Sequence, residues 1–128
     1  MKKQKICIIG DGLTGLTAAL ALSRLNVKVH LFAKFQENKN SLDNRTTAIS
    51  PSNHKFLLKL LKKNNSKLFW PSTKIDLYHE QENKYFYFMN FENYGKNLMY
   101  IIENYKLRKI LFERIKNQKN LKIIRQEV

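Results

Sequence analysis

The sequence predicts an α/β fold built on a parallel sheet, and three observations carry that reading. Lys5 to Ile9 is a short apolar run of strand character. A glycine-rich stretch, Gly10-Asp11-Gly12-Leu13-Thr14-Gly15, follows it directly and leads into residues with helical periodicity. Val27 to Phe32 then alternates apolar and polar residues as a second strand does. Strand, glycine loop, helix and strand in this order make one right-handed βαβ unit.

Each element has its own signal. The run Ile6-Cys7-Ile8-Ile9 has the unbroken apolar character of a parallel strand buried on both faces. Leu16 to Leu25 reads as a helix with Leu16, Ala19, Leu20 and Ser23 on one stripe, and Asn26 ends it in a left-handed conformation. In the second strand Val27, Val29 and Leu31 alternate against Lys28, His30 and Phe32. Residues 34–50 read as a polar loop. Pro51-Ser52 opens a helix over residues 53–63 with Phe56, Leu57, Leu60 and Leu61 as its apolar face, and Asn64-Asn65-Ser66 breaks it.

Lys74 to His79 and Tyr85 to Phe91 are β-rich runs around a polar turn at 80–84, so they predict an antiparallel hairpin. Met99 to Ile102 reads as a short strand. Asn104 then caps a helix through Asn117, with Leu107, Ile110, Leu111 and Ile115 on one face. Leu121 to Ile124 reads as another buried strand.

The chain has 128 residues and a net charge of +14, from 24 Lys+Arg against 10 Asp+Glu. Its hydrophobic content of 43% excludes a disordered chain. One cysteine, Cys7, excludes a disulfide framework, fits a reducing compartment and is expected as a packed thiol in the first strand. No apolar run approaches the roughly 20 residues that span a bilayer. The basic residues are mostly lysine and are spread along the chain, without a helix-turn-helix, zinc-finger or RNA-binding signature, so no nucleic acid is expected as a partner. His30, His54 and His79 fall in different elements without ligand-like spacing, so no metal site is expected. Ser50 and Ser52 lack a partnered His or Asp, and no residue stands out as catalytic.

The chemistry lies in Gly10-x-Gly12-x-x-Gly15. Following a strand and opening a helix inside a βαβ unit, it is the fingerprint of a dinucleotide-binding, Rossmann-like sheet. Gly10 permits the tight turn, Gly12 lets the backbone approach a pyrophosphate, and Gly15 lets helix and strand pack closely. The acid expected at the end of the second strand, which would bind a ribose, is replaced by Ala33 followed by Lys34. Lys34 suits a 2′-phosphate, and Glu37 or a backbone carbonyl could take the place of the acid for FAD.

Three blocks in order and at matching spacing make the chain resemble the ubiquinone-biosynthesis hydroxylases, within the class A FAD-dependent aromatic monooxygenases. They are Ile6 to Leu31, then Asp43-Asn44-Arg45-Thr46-Thr47-Ala48-Ile49-Ser50, then Tyr100 to Asn104 with Leu107-Arg108 and Leu111. The resemblance covers nearly the whole chain and corresponds to that family's N-terminal third. It implies that residues 1–128 are an N-terminal FAD-binding segment, incomplete by itself, in which residues about 72–98 start an antiparallel β-layer of the substrate domain. Gly10, Asp11, Gly12, Leu13, Thr14 and Gly15 would line the FAD pyrophosphate. Arg45 and Arg108 would approach the cofactor from two sides.

The family hydroxylates an aromatic ring on a polyprenyl quinone precursor, with NAD(P)H and O2 as co-substrates. Its second flavin motif falls outside these residues, so the isolated chain is expected to be inactive and to bind FAD weakly. Two other readings stand beside this one. The first is a non-catalytic nucleotide-binding relic or a subunit completed by another chain; the second is an NADP-dependent reductase. A cytoplasmic location is expected. The +14 charge and a polyprenyl substrate also suit peripheral association at the inner membrane face.

Overall fold

A computed structural model describes residues 3–34, 43–62 and 66–125. Strands β1 (Lys5–Ile9), β2 (Lys28–Ala33) and β8 (Leu121–Arg125) form a parallel sheet in the order β1-β2-β8. The glycine loop runs from β1 into helix α1 (Leu13–Leu22), and α3 (Asn104–Lys116) packs beside α1 on the same face of the sheet. The expected α/β class and parallel sheet are therefore present.

The alternation along β2 explains how that face is built. Val29, Leu31 and Ala33 point toward the helices and are buried, and they pack with Leu16, Ala19 and Leu20 of α1 and Leu107, Leu111 and Ile115 of α3. In β1, however, Ile6 and Ile8 are only half-buried, and Lys5, Cys7 and Ile9 are exposed. The expectation of a first strand buried on both faces, with Cys7 packed inside, is thus corrected. Among the described residues nothing covers the second face of the sheet. Strand β8 is half-buried for the same reason.

A second sheet is antiparallel, in the order β3-β7-β4, from β3 (Thr46–Ile49), β7 (Met99–Glu103) and β4 (Trp70–Ser72). Strand β3 corrects the sequence reading, and β4 is a short strand for which that reading carries no expectation. Residues 46–49 lie inside the expected loop, but Thr46 and Thr47 are β-branched and pair with Glu103 and Ile102, while Ile49 is buried. Pro71 can sit in β4 because that strand is at the sheet edge.

Helix α2 (Pro51–Leu61) begins at a Ser50 cap, whose hydroxyl accepts from the Asn53 amide at 3.3 Å, with Pro51 in its first turn. Leu57, Leu60 and Leu61 form its buried face as expected, but Phe56 is exposed. Lys62 ends the helix in a left-handed conformation.

Two helix ends also differ from expectation. Helix α1 closes at Ser23 in right-handed geometry, and Asn26 has no positive φ. The cap position of α3 is Glu103; Asn104 begins the helix, and its side-chain oxygen accepts from Thr47 Oγ1 at 2.5 Å.

The hairpin forms from β5 (Lys74–Gln81) and β6 (Lys84–Glu92), joined by Glu82 and Asn83. Both linking residues have positive φ, the geometry of the tight turn that matches strand twist. Its aromatics are exposed on both faces, Tyr85 at 71% and Phe88 at 69%.

Candidate dinucleotide-binding site

The site lies where β1 and β2 end and α1 begins. The Gly10 amide donates to the Phe32 carbonyl at 2.8 Å, which ties the glycine loop to the end of β2. Gly10 has φ +104°, a conformation that L side chains rarely adopt. Gly15 is required for a different reason. A Cβ there would run into the Gly10 carbonyl oxygen, with the carbonyl carbon at 3.2 Å and Ile8 Cγ2 at 3.7 Å. Helix and loop are therefore in direct backbone contact.

Gly12 has neither constraint. Its φ of −68° and ψ of 173° suit any residue, and a Cβ would meet no atom within 4 Å. The fold does not itself need a glycine here. The space in front of Gly12 is bounded by the first turn of α1, whose leading amides have no intrahelical acceptor. Gly12 is the cap residue and offers no side-chain acceptor, and no acidic residue sits in that first turn. Leu13 is half-buried against the core and Thr14 is exposed at the helix start. Exposed donors and a positive helix end suit an anion such as a pyrophosphate.

Two arginines flank this cradle. Arg108, on α3, donates from Nε to the Asp11 carbonyl at 3.2 Å and pairs with the Asp11 carboxylate through its terminal nitrogen. The two side chains are 22% and 20% exposed. Arg45 makes a two-point pair with Asp43, Nε to Oδ1 at 2.7 Å and a terminal nitrogen to Oδ2 at 3.0 Å. The Arg45 guanidinium beside Asp43 holds its carboxyl below the usual carboxylate range, and Arg108 adds a smaller effect of the same sign. Arg108 is thus within electrostatic reach of the Asp43–Arg45 pair. The Arg45 carbonyl also accepts from the Asn104 amide at 3.0 Å, which fixes the start of β3 to the start of α3.

The structure therefore brings together Gly10, Asp11, Gly12, Leu13, Thr14, Gly15 and Arg108, while Arg45 immediately precedes β3 and contacts Asp43 and the start of α3. The ion pairs to Asp11 and Asp43 were not expected from sequence. Ala33 is buried at the end of β2, so its side chain offers no ribose contact, and Lys34 beside it is exposed. Glu37 lies outside the described residues. His54 stacks on Tyr100 at 3.6 Å and meets Phe69 edge-on at 4.6 Å, a packing position away from the cradle. No group of three or more His, Cys, Asp or Glu able to hold a metal occurs among the described residues. No helix there is long and apolar enough to cross a membrane.

Residues 5–55 match the family model for glucose inhibited division protein A, a span that runs from β1 into α2. No curated protein matches the chain. Among solved structures, pqsL of Pseudomonas aeruginosa, described as a probable FAD-dependent monooxygenase, matches with TM-score 0.69 and 16% identity over 96% of this chain and 33% of that one. CtdE in complex with FAD matches at 0.63 and 19%, over 95% of this chain and 30% of that one. The tetrameric form of 2-methyl-3-hydroxypyridine-5-carboxylic acid oxygenase matches at 0.64 and 20%, over 96% and 32%. These likenesses show the fold. The chain spans about a third of the length of the solved structures it matches.

Proposed function

We propose that this chain is the N-terminal FAD-binding segment of an FAD-dependent monooxygenase that hydroxylates an aromatic ring, of the ubiquinone-biosynthesis type. The observation that carries the reading is the open cradle at Gly12, where the fold leaves room that its own packing does not use. The amides at the start of α1 would hold the pyrophosphate of FAD, with Gly10 and Gly15 keeping loop and helix in place. Arg45, immediately before β3, has an exposed guanidinium and would approach the phosphates or ribose from solvent. FAD when bound supplies the redox and oxygen chemistry, and the protein positions it.

The choice of FAD over other dinucleotides is supported by the fold shared with CtdE in complex with FAD and with a monooxygenase of the flavin-dependent class. The exposed aromatic hairpin β5–β6 would begin the substrate layer, and a polyprenyl-aromatic compound is the substrate class. The narrower assignment rests on the Arg45-Thr46-Thr47-Ala48-Ile49-Ser50 block, which forms β3 and its turn into α2.

The test is to titrate the purified chain with FAD and follow flavin fluorescence and the visible spectrum, with NADPH as competitor. Saturable FAD binding that NADPH does not displace is expected. Absence of FAD binding at saturating concentration overturns the reading, and displacement by NADPH selects the reductase alternative, for which Lys34 beside Ala33 is the relevant feature.

A further inference from the structure

We propose that Arg108 serves the site through Asp11: the pair is a latch that positions the glycine loop and cancels a carboxylate that would otherwise oppose a bound pyrophosphate. This rests on the dinucleotide reading of the cradle. Asp11 stands between Gly10 and Gly12, next to the amides that would meet the phosphates. A carboxylate there repels a phosphate unless another charge neutralises it.

Arg108 supplies that charge from the far side of the sequence, 97 residues away. It grips Asp11 at two points, the backbone carbonyl and the carboxylate. One grip fixes where the loop lies, and the other sets its charge. Both side chains are mostly shielded from solvent, so bulk water and salt screen the pair only weakly. The neighbouring acid, Asp43, has its own arginine in Arg45. Asp11 and Asp43 are therefore each paired with a guanidinium. In this arrangement Arg108 is a positioning residue, and its effect on a bound dinucleotide passes through Asp11.

The prediction is a rescue. Arg108→Met should weaken FAD binding by about tenfold to a hundredfold, the scale of one unneutralised like charge at an effective dielectric near 20. Asp11→Asn alone should bind FAD more tightly than the parent, because it leaves the Arg108 charge uncancelled beside the pyrophosphate. The double variant should recover at least about tenfold of the affinity lost in Arg108→Met, because the opposing charge is gone. Its thermal stability should remain near that of Arg108→Met, since the positional grip is still missing.

Flavin fluorescence reads the affinities and circular dichroism the unfolding, all on the full chain. If Arg108→Met does not fold, Arg108→Lys, which keeps the charge without the two-point grip, should bind FAD within about threefold of the parent yet unfold earlier. A double variant that binds as weakly as Arg108→Met, or an Arg108→Lys that binds far more weakly than the parent, overturns the proposal and makes Arg108 a direct ligand. A parent chain that binds no FAD overturns the dinucleotide reading instead, and additive effects of the two substitutions on unfolding without ligand overturn the positional grip on their own.

Discussion

Substituting alanine at Gly12 and at Gly15 should separate what the fold needs from what the ligand needs. At Gly15 a Cβ would collide with the Gly10 carbonyl, a backbone atom that cannot rotate away, and also meet Ile8. Overpacking of this kind costs about 1–3 kcal/mol, and a rigid backbone obstacle places it near 3. Alanine restores up to about 1 kcal/mol of helix propensity, so the net loss is about 2 kcal/mol. For a domain of this size that lowers the unfolding midpoint by about 8 °C.

At Gly12 the conformation is ordinary and nothing lies within 4 Å. Alanine there loses about 0.5–1 kcal/mol as a cap and regains about 0.4–1 kcal/mol from the unfolded chain, so stability should stay within about 0.5 kcal/mol. Its methyl would nonetheless stand in the approach to the pyrophosphate. FAD affinity should fall by about tenfold or more, a loss of about 1.4 kcal/mol in binding alone. Urea unfolding by circular dichroism gives the first quantity and flavin fluorescence the second. If Gly12→Ala is as unstable as Gly15→Ala, or binds FAD as the parent does, the division of roles is wrong.

Two further predictions concern the scaffold. Burial holds the His54 imidazole below its ordinary value, so below about pH 6.5 the unfolded chain takes up a proton that the folded chain resists. Stability should be full above that pH and fall as pH drops through it toward the folded value; urea midpoints between pH 7.5 and 5.5 should show a slope that His54→Phe reduces, and an unchanged slope refutes it. Thr47→Val removes the hydroxyl that donates to Asn104 at 2.5 Å and joins β3 to α3, and should cost about 1–2 kcal/mol by leaving that oxygen unpaired. A Thr47→Val chain as stable as the parent in urea would show that water replaces the bond without loss.

Much of the fold was legible because its signals are local. The alternation at Val29 and Leu31, the stripe at Leu16, Ala19 and Leu20, and the two β-rich runs of the hairpin each depend on neighbours within a few residues. What escaped depends on partners distant in sequence. Thr46 to Ile49 reads as loop by composition and becomes a strand because β7, more than fifty residues on, supplies its hydrogen bonds. Cys7 and Ile9 read as core because they are apolar, but no element among the described residues covers their face. Phe56 likewise sits on the helical apolar stripe, yet among the described residues it stays exposed.

The candidate site divides in the same way, and here the division has chemical content. The spacing of Gly10, Gly12 and Gly15 names a motif, but it treats the three glycines alike. The structure separates them: Gly10 answers to a backbone angle, Gly15 to a backbone collision, and Gly12 to nothing within the chain. A residue that the fold does not require is better evidence for a ligand than one that it does, because structural need cannot account for it. The same reasoning applies to Asp11. A carboxylate between the glycines opposes the proposed ligand, and it is tolerable only with Arg108 in contact, a pairing that no local reading of residues 10–15 could supply. The motif and the distant arginine therefore form one unit, and the affinity of the site should depend on them jointly.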